Sequence, residues 1–205
     1  MDQYKPTELL IATHNLGKLQ EVAELLAGLP LNLRSLPDFD EIEEVEETGE
    51  TFAANAELKA AYYAERTGLW AFSDDSGLQV KALNWGPGVF SARHAGETAT
   101  SEQRNEKVLR ELGDTKDNER VARYVCVVSL ADPSGNIVRS EVATCDGRIA
   151  SESRGSNGFG YDSIFIPEGY DQTFGELPNS IKSRISHRAR ASRQMVDFLL
   201  NFLKN

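Results

Sequence analysis

The apolar positions of this chain change period along its length, and the changes mark out its elements. Leu9-Leu10-Ile11-Ala12 is a continuous apolar run of strand length, after which Leu19, Val22, Ala23, Leu26 and Leu29 recur at helical spacing up to the stop signals Gly28 and Pro30. Leu31, Leu33 and Leu36 alternate as a second strand. The acidic stretch Asp38 to Glu50 follows, and most of its carboxylates are expected in water. Thr51 to Arg66 is rich in alanine, carries Phe52, Ala56, Lys59, Ala60 and Tyr63 at helical steps and has Gly68 behind it, so it reads as a helix. Leu69-Trp70-Ala71-Phe72 then forms a strand that should end at Ser73. Residues 84–96 are dense in turn formers and aromatics and read as an ordered loop. Thr100 and Gln103 suit a capping box for a helix through Leu112, closed by Gly113. Arg120 to Ala131 and Asn136 to Thr144 are β-branched runs around the turn Asp132-Pro133-Ser134-Gly135, and Ile164-Phe165-Ile166 is a short strand. Pro167 to Asn179 reads as loop. A last amphipathic helix spans Ser186 to Leu203, with Ala189, Met195, Val196, Leu199 and Phe202 on its apolar side. Strand and helix alternate early and a hairpin comes later, which predicts an α/β protein on a mixed sheet.

Length and charge narrow the classes. A chain of 205 residues suits one domain, or two closely joined lobes, with a full core. Its 32 acidic against 22 basic residues, a net charge of -10, argue against nucleic acid or an anionic membrane as partner. A polyanion bound here must meet a local basic cluster. Cys126 and Cys145 lack CxxC spacing and read as reduced core thiols. No apolar run reaches the length of a membrane span, and the start carries no signal-peptide pattern, so the cytoplasm is the expected location.

Four stretches can carry chemistry. Thr13-His14-Asn15-Leu16-Gly17-Lys18 lies between the first strand and the first helix, where free N–H groups and a lysine suit phosphate; equally, Asn15 can simply cap the helix. The stretch departs from a P-loop at Ala12 and Leu19, where that motif needs glycine and Ser/Thr. Ser73-Asp74-Asp75-Ser76-Gly77 is either a turn and cap, or, with Glu47, a set of oxygen ligands for a hard cation. Glu46 and Asp74 are the neighbours able to join that set. Such ligands favour Mg²⁺ or Mn²⁺ over zinc, and Lys59 can reach the same place. Asn157-Gly158-Phe159-Gly160-Tyr161-Asp162 offers either a ligand-facing loop with an aromatic face or a tight turn packed on the core. Ser180 to Arg188 gathers Lys182, Arg184, His187 and Arg188 with three hydroxyls in an otherwise acidic chain.

Taken in order, Thr13-x-Asn15-x-x-Lys18, Glu47-Thr48-Gly49 with Asn55 and Lys59, Asp74-Asp75-Ser76-Gly77-Leu78, Pro87 to Arg93, Gly158-Phe159-Gly160-Tyr161-Asp162 and Lys182-Ser183-x-Ile185-Ser186-His187-Arg188 resemble the signatures of the inosine triphosphate pyrophosphatase family. The resemblance implies an elongated mixed sheet with helices on both sides, two lobes with an active-site cleft between them, and a homodimer. It also implies a Mg²⁺-dependent cut of ITP, dITP or XTP to a nucleoside monophosphate and pyrophosphate. Carried over residue by residue, it makes Asp75 general base and metal ligand and Glu47 a metal ligand. Thr13, His14, Asn15, Leu16, Gly17, Lys18 and Lys59 fall on the triphosphate, Ser76 is a further substrate-binding residue, and Phe159, Gly160, Tyr161, Asp162, Lys182, His187 and Arg188 fall on the base side. His14, Ser163 and Ala189 depart from the family's usual Gly, Pro and Gly. The 6-oxo group of hypoxanthine or xanthine is an acceptor that His187 and Arg188 can meet, whereas adenine offers a donor there; a further donor is expected at position 2 to exclude guanine. A pyrophosphatase for modified pyrimidine triphosphates and a non-catalytic nucleotide sensor are the alternative readings.

Overall fold

The structure is a computed structural model that describes residues 5–39 and 42–204. It is an α/β protein on one seven-stranded mixed sheet: β1 (Glu8–Ile11), β2 (Asn32–Ser35), β3 (Trp70–Val80), β4 (Gly86–Pro87), β5 (Val121–Ala131), β6 (Ile137–Ile149) and β7 (Phe165–Pro167). The strand order is β2-β1-β3-β5-β6-β7, with β4 paired to β3. β1 runs parallel to both β2 and β3, while β4 and β7 pair antiparallel. The helices are α1 (Leu16–Leu26), α2 (Phe52–Thr67), α3 (Ser101–Leu112), α4 (Asn179–Ile185) and α5 (His187–Lys204).

Local chemistry sets these boundaries. The Asn15 side chain accepts from the Lys18 N–H and starts α1; Thr51 does the same for α2 through Ala54, and Gly68 ends α2 in the left-handed region. The expected capping box of Thr100 and Gln103 is formed at α3. The β5–β6 turn is tied by Asp132, whose carboxylate accepts from the Ser134 and Asn136 N–H groups.

The described residues group into two compact units. The first holds residues up to Asp75, Cys126–Ala143 and those from Arg188 onward. Here the sheet is covered on both faces, and strand alternation decides which residue goes where. Leu9, Ile11, Trp70 and Phe72 pack with Val22 and Leu26 of α1 and Met195 and Leu199 of α5. Leu10, Ala12 and Ala71 pack with Ala60, Tyr63 and Ala64 of α2. The second unit, Ser76–Val125 and Thr144–His187, has its own core of Leu78, Val108, Tyr124, Ile149, Tyr161, Phe165 and Phe174.

Two expectations need correction. The strand through Phe72 does not end at Ser73 but continues to Val80, so Asp74 and Asp75 lie within β3 and are buried. The element that stops is β1: its pairing with β3 runs only to Ile11 opposite Phe72, with one more bond from the Ala12 N–H to the Phe72 carbonyl. The carboxylates thus sit just past the end of the parallel neighbour, and the Thr13–Lys18 stretch leaves from there. The second concerns the end of the Pro167 to Asn179 loop and the residues between it and the last helix, for which the sequence pattern predicts no element of their own. Asn179–Ile185 forms a short α4 in place of loop, Ser186 is extended, and α5 begins at His187.

Candidate active site

In the first unit, β3 points two neighbouring carboxylates to opposite faces. Asp74 follows Phe72 toward α1 and α5, where its Oδ2 lies 3.2 Å from Lys18 Nζ and accepts from Arg188 Nε at 3.1 Å. Arg188 also pairs with Glu21 of α1 at 2.5 Å. Burial alone would raise the Asp74 carboxyl; Lys18 and Arg188 outweigh that and hold it well below the usual carboxylate range. Burial likewise opposes the Arg188 charge, but Asp74 and Glu21 overcome it and raise that pKa. Asp74 therefore anchors Lys18 and Arg188 and is not on the face of Glu47. Arg188, expected at the base, is held here.

Asp75 follows Ala71 toward α2. Its Oδ2 accepts from Asn55 Nδ2 at 3.1 Å, and its Oδ1 lies 3.9 Å from Lys59 Nζ. The same ammonium donates to Glu47 Oε1 at 2.5 Å. Glu47 and Asp75 thus converge on one cation, whereas Glu46 is exposed. Burial raises the Asp75 pKa against the pull of Lys59. Burial opposes the Lys59 charge, and Asp75 and Glu47 more than restore it, so its pKa is raised.

In the Thr13–Lys18 stretch His14, Asn15 and Leu16 are exposed and Thr13, Gly17 and Lys18 half-buried, with Leu16 the most exposed large apolar residue among those described. Thr13 Oγ1 accepts from the Asn15 N–H, so Asn15 is both cap and loop member. His14 Nε2 lies 3.1 Å from the Tyr63 hydroxyl, which also accepts from the Val45 N–H at 3.4 Å. This one hydroxyl of α2 joins the loop after β1 to the acidic segment that carries Glu47.

In the second unit, Asp162 organises the glycine-rich loop. Its Oδ2 accepts from Lys182 Nζ at 2.6 Å and from the Phe159 N–H at 2.8 Å, and its Oδ1 lies 3.4 Å from the Tyr124 hydroxyl. Gly158 has a positive φ of 74°, and a Cβ there would run into the Asp162 carboxylate. Lys182 Nζ sits 4.4 Å from the centroid of the half-buried Phe159 ring. His187 stacks on Tyr124 with centroids 4.4 Å apart and planes 7° apart. Phe159, Asp162 and Lys182 are therefore tied together, and His187 joins them through Tyr124. Tyr161 is buried in the core, its hydroxyl donating to the Ser91 carbonyl at 2.8 Å, and burial raises its pKa. Gly160 takes a positive φ of 64°, and Ser76 continues β3 directly after Asp75.

The profile of the Ham1 family matches residues 9–198. The chain belongs to the Ham1 family. Among Ham1 relatives, the dITP/XTP pyrophosphatase of Bacillus anthracis is 46% identical over 189 residues, covering 92% of this chain and 94% of that one. The dITP/XTP pyrophosphatase of Rhodopirellula baltica is 42% identical over 198 residues, 97% of this chain and 95% of that one. A solved HAM1 protein from Coxiella burnetii matches with a TM-score of 0.85 at 41% identity, over 95% of this chain and 98% of that chain. These names bear out the family read from the six motifs.

The Ham1 fold leaves a donor set suited to one kind of cation. Glu47 and Asp75 offer carboxylate oxygens around a point already held by an ammonium. Among the described residues, no three His, Cys, Asp or Glu side chains gather as a closed metal site. A cation bound by one or two carboxylates must take its other ligands from water and substrate phosphate, which is the habit of Mg²⁺ and not of structural zinc. Also among the described residues, no helix is long and apolar enough to cross a membrane. Two features were missed in the sequence: the opposite pointing of Asp74 and Asp75, which period-two counting from Phe72 could have found, and the role of Asn55.

Proposed function

We propose that this protein hydrolyses the non-standard purine nucleoside triphosphates ITP, dITP and XTP to the nucleoside monophosphate and pyrophosphate, with Mg²⁺. The observation that carries this reading is the convergence of Glu47 and Asp75 on Lys59. Family membership and the names of its relatives support the substrate class.

Glu47 and Asp75 would hold Mg²⁺, which when bound supplies charge neutralisation for the phosphates and acidifies a water. Lys59 and Lys18 present ammonium groups to the triphosphate, and Asp74 holds the second of these in an ion pair. Asp75 accepts the proton of the attacking water, a role helped by the higher proton affinity that burial gives it. Phe159 presents its aromatic ring to the base, positioned by Lys182 and by its own N–H on Asp162. His187, oriented by the Tyr124 ring, is the donor for the 6-oxo group. A homodimer and a cytoplasmic setting complete the reading, and light scattering of the purified protein checks the first.

The test is a product analysis across ITP, XTP, GTP, ATP and dUTP with and without Mg²⁺. Pyrophosphate from ITP and XTP, abolished by EDTA, is expected. Orthophosphate as first product, or preference for dUTP, defeats the proposal.

A further inference from the structure

We propose that Asn55 is the positioning residue for the Asp75 carboxylate and that Gly49 is the position that allows it; this rests on the function proposed above. Asparagine is a poor helix-interior residue, because its amide competes for backbone groups. Yet Asn55 stands in the first turn of α2 with no exposed surface. Both ends of its amide are used. Nδ2 donates to Asp75 Oδ2 at 3.1 Å, and Oδ1 accepts from the Gly49 N–H at 2.7 Å.

Lys59 stands one turn further along α2, so the two side chains share a face of the helix. Each oxygen of Asp75 is therefore addressed by its own α2 residue, Oδ2 by Asn55 and Oδ1 by Lys59, which fixes the rotation of the carboxylate. The circuit closes through the acidic segment. Lys59 binds Glu47, and two residues later the Gly49 N–H returns to Asn55. Gly49 is required sterically: a Cβ there would lie 2.5 Å from Asn55 Oδ1 and 2.8 Å from Ala54 Cβ. Any side chain at position 49 pushes the amide off Asp75 without itself touching the carboxylate.

The test uses Asn55→Leu, which keeps the branching and heavy-atom count of the side chain and removes both donor and acceptor, and Gly49→Ala, which keeps Asn55 and displaces it. In each, kcat for ITP should fall about 100-fold, the cost of misplacing a reacting group by about 1 Å, while KM stays within threefold. The double variant should be no slower than the slower single one, because both break one circuit. Hydrogen exchange, read without substrate or metal, should show the Gly49 amide losing protection in Asn55→Leu. A merely structural role would lower the melting temperature and leave kcat per folded molecule unchanged. Should Asn55→Leu fail to fold, Gly49→Ala carries the test alone. A wild type that releases no pyrophosphate from ITP defeats the functional reading. An active wild type with either variant within threefold in kcat, or unchanged Gly49 exchange in Asn55→Leu, overturns the positioning role alone.

Discussion

Asp74 and Asp75 are chemically identical neighbours, and neutralising them should move stability in opposite directions. In Asp74→Asn the lost charge is the common partner of Lys18 and Arg188, at 3.2 and 3.1 Å, in a buried setting. Removing one member of a buried ion cluster costs about 3–5 kcal/mol, because the charges left behind stay desolvated. Here the lower end applies: Arg188 keeps Glu21, and Lys18 retains some solvent contact. A loss of about 3 kcal/mol lowers the melting temperature of a chain this size by about 6–12 °C. In Asp75→Asn the removed charge is one that burial already disfavours, Lys59 keeps Glu47, and the new amide oxygen still accepts from Asn55. Its melting temperature should equal or exceed the wild type's, with no turnover.

The pH dependence follows from the same shifts. The folded Asp74 pKa lies below its unfolded value of about 3.9, so its stabilisation is full at neutral pH and disappears as pH falls through the folded value. The folded Asp75 pKa lies above that value, so its ionisation opposes folding at neutral pH and ceases to matter in acid. Thermal melts without nucleotide or Mg²⁺ should therefore place Asp74→Asn below wild type at pH 7.5 and Asp75→Asn at or above it, and the Asp74→Asn gap should shrink below about pH 4. An Asp74→Asn protein melting within 2 °C of wild type at pH 7.5, or an Asp75→Asn protein destabilised as much as Asp74→Asn, would falsify the assignment of the two carboxylates to opposite roles.

Three further outcomes are expected. Lys59→Met leaves Glu47 and Asp75 without their shared cation and should cut kcat/KM for ITP by about 10²- to 10³-fold, the range for one electrostatic group lost from a reaction centre; a smaller loss than tenfold in a pyrophosphate-release assay counts against a phosphate role. Phe159→Ala should raise KM for ITP by about 5- to 150-fold, equivalent to about 1–3 kcal/mol of base stacking, with kcat little changed; equal loss in both would mean that the ring does more than stack. Cys126 and Cys145 are both buried, and burial together with Asp74 raises the Cys126 thiol pKa, so neither should react with a thiol reagent until the protein unfolds; rapid labelling of the native protein would show that the core around the labelled thiol, the first unit's for Cys126 or the second unit's for Cys145, opens readily.

The local rules were the most legible part of the fold. Thr51, Gly68, Thr100 and Gln103 act on their own neighbours, so caps and helix limits could be read from short spacing. The length of β3 could not. Two consecutive carboxylates after Phe72 look like a turn, because a strand interior normally rejects charge, and only partners distant in sequence make them tolerable: Arg188 for Asp74, Asn55 and Lys59 for Asp75. The same cause hid the site's details. Glu47, Asp75 and Lys59 were legible as a set of residue types, but which carboxylate of the pair faces Glu47 depends on strand parity. The short α4 was missed because its seven residues carry too few apolar positions to display a period.

At Ser163 and His14, where the resemblance implies proline and glycine, this chain supplies partners. Ser163, in place of a proline, cannot stiffen the loop by restricting φ, but its hydroxyl accepts from Asn105 Nδ2 of α3 at 2.8 Å and its carbonyl accepts from the Arg154 N–H. The side-chain bond to Asn105 stands where a fixed dihedral would, one residue after Asp162, the carboxylate that holds Phe159 and Lys182. His14, in place of a glycine, gives up backbone freedom and in return reaches Tyr63, whose hydroxyl also holds the segment before Glu47. Both contacts make loop geometry depend on a helix, α3 in one unit and α2 in the other. The expected mark of this is kinetic: Asn105→Ala should alter discrimination between ITP and GTP through the Asp162 loop while pyrophosphate remains the product, and unchanged discrimination would return Asn105 to a packing role only.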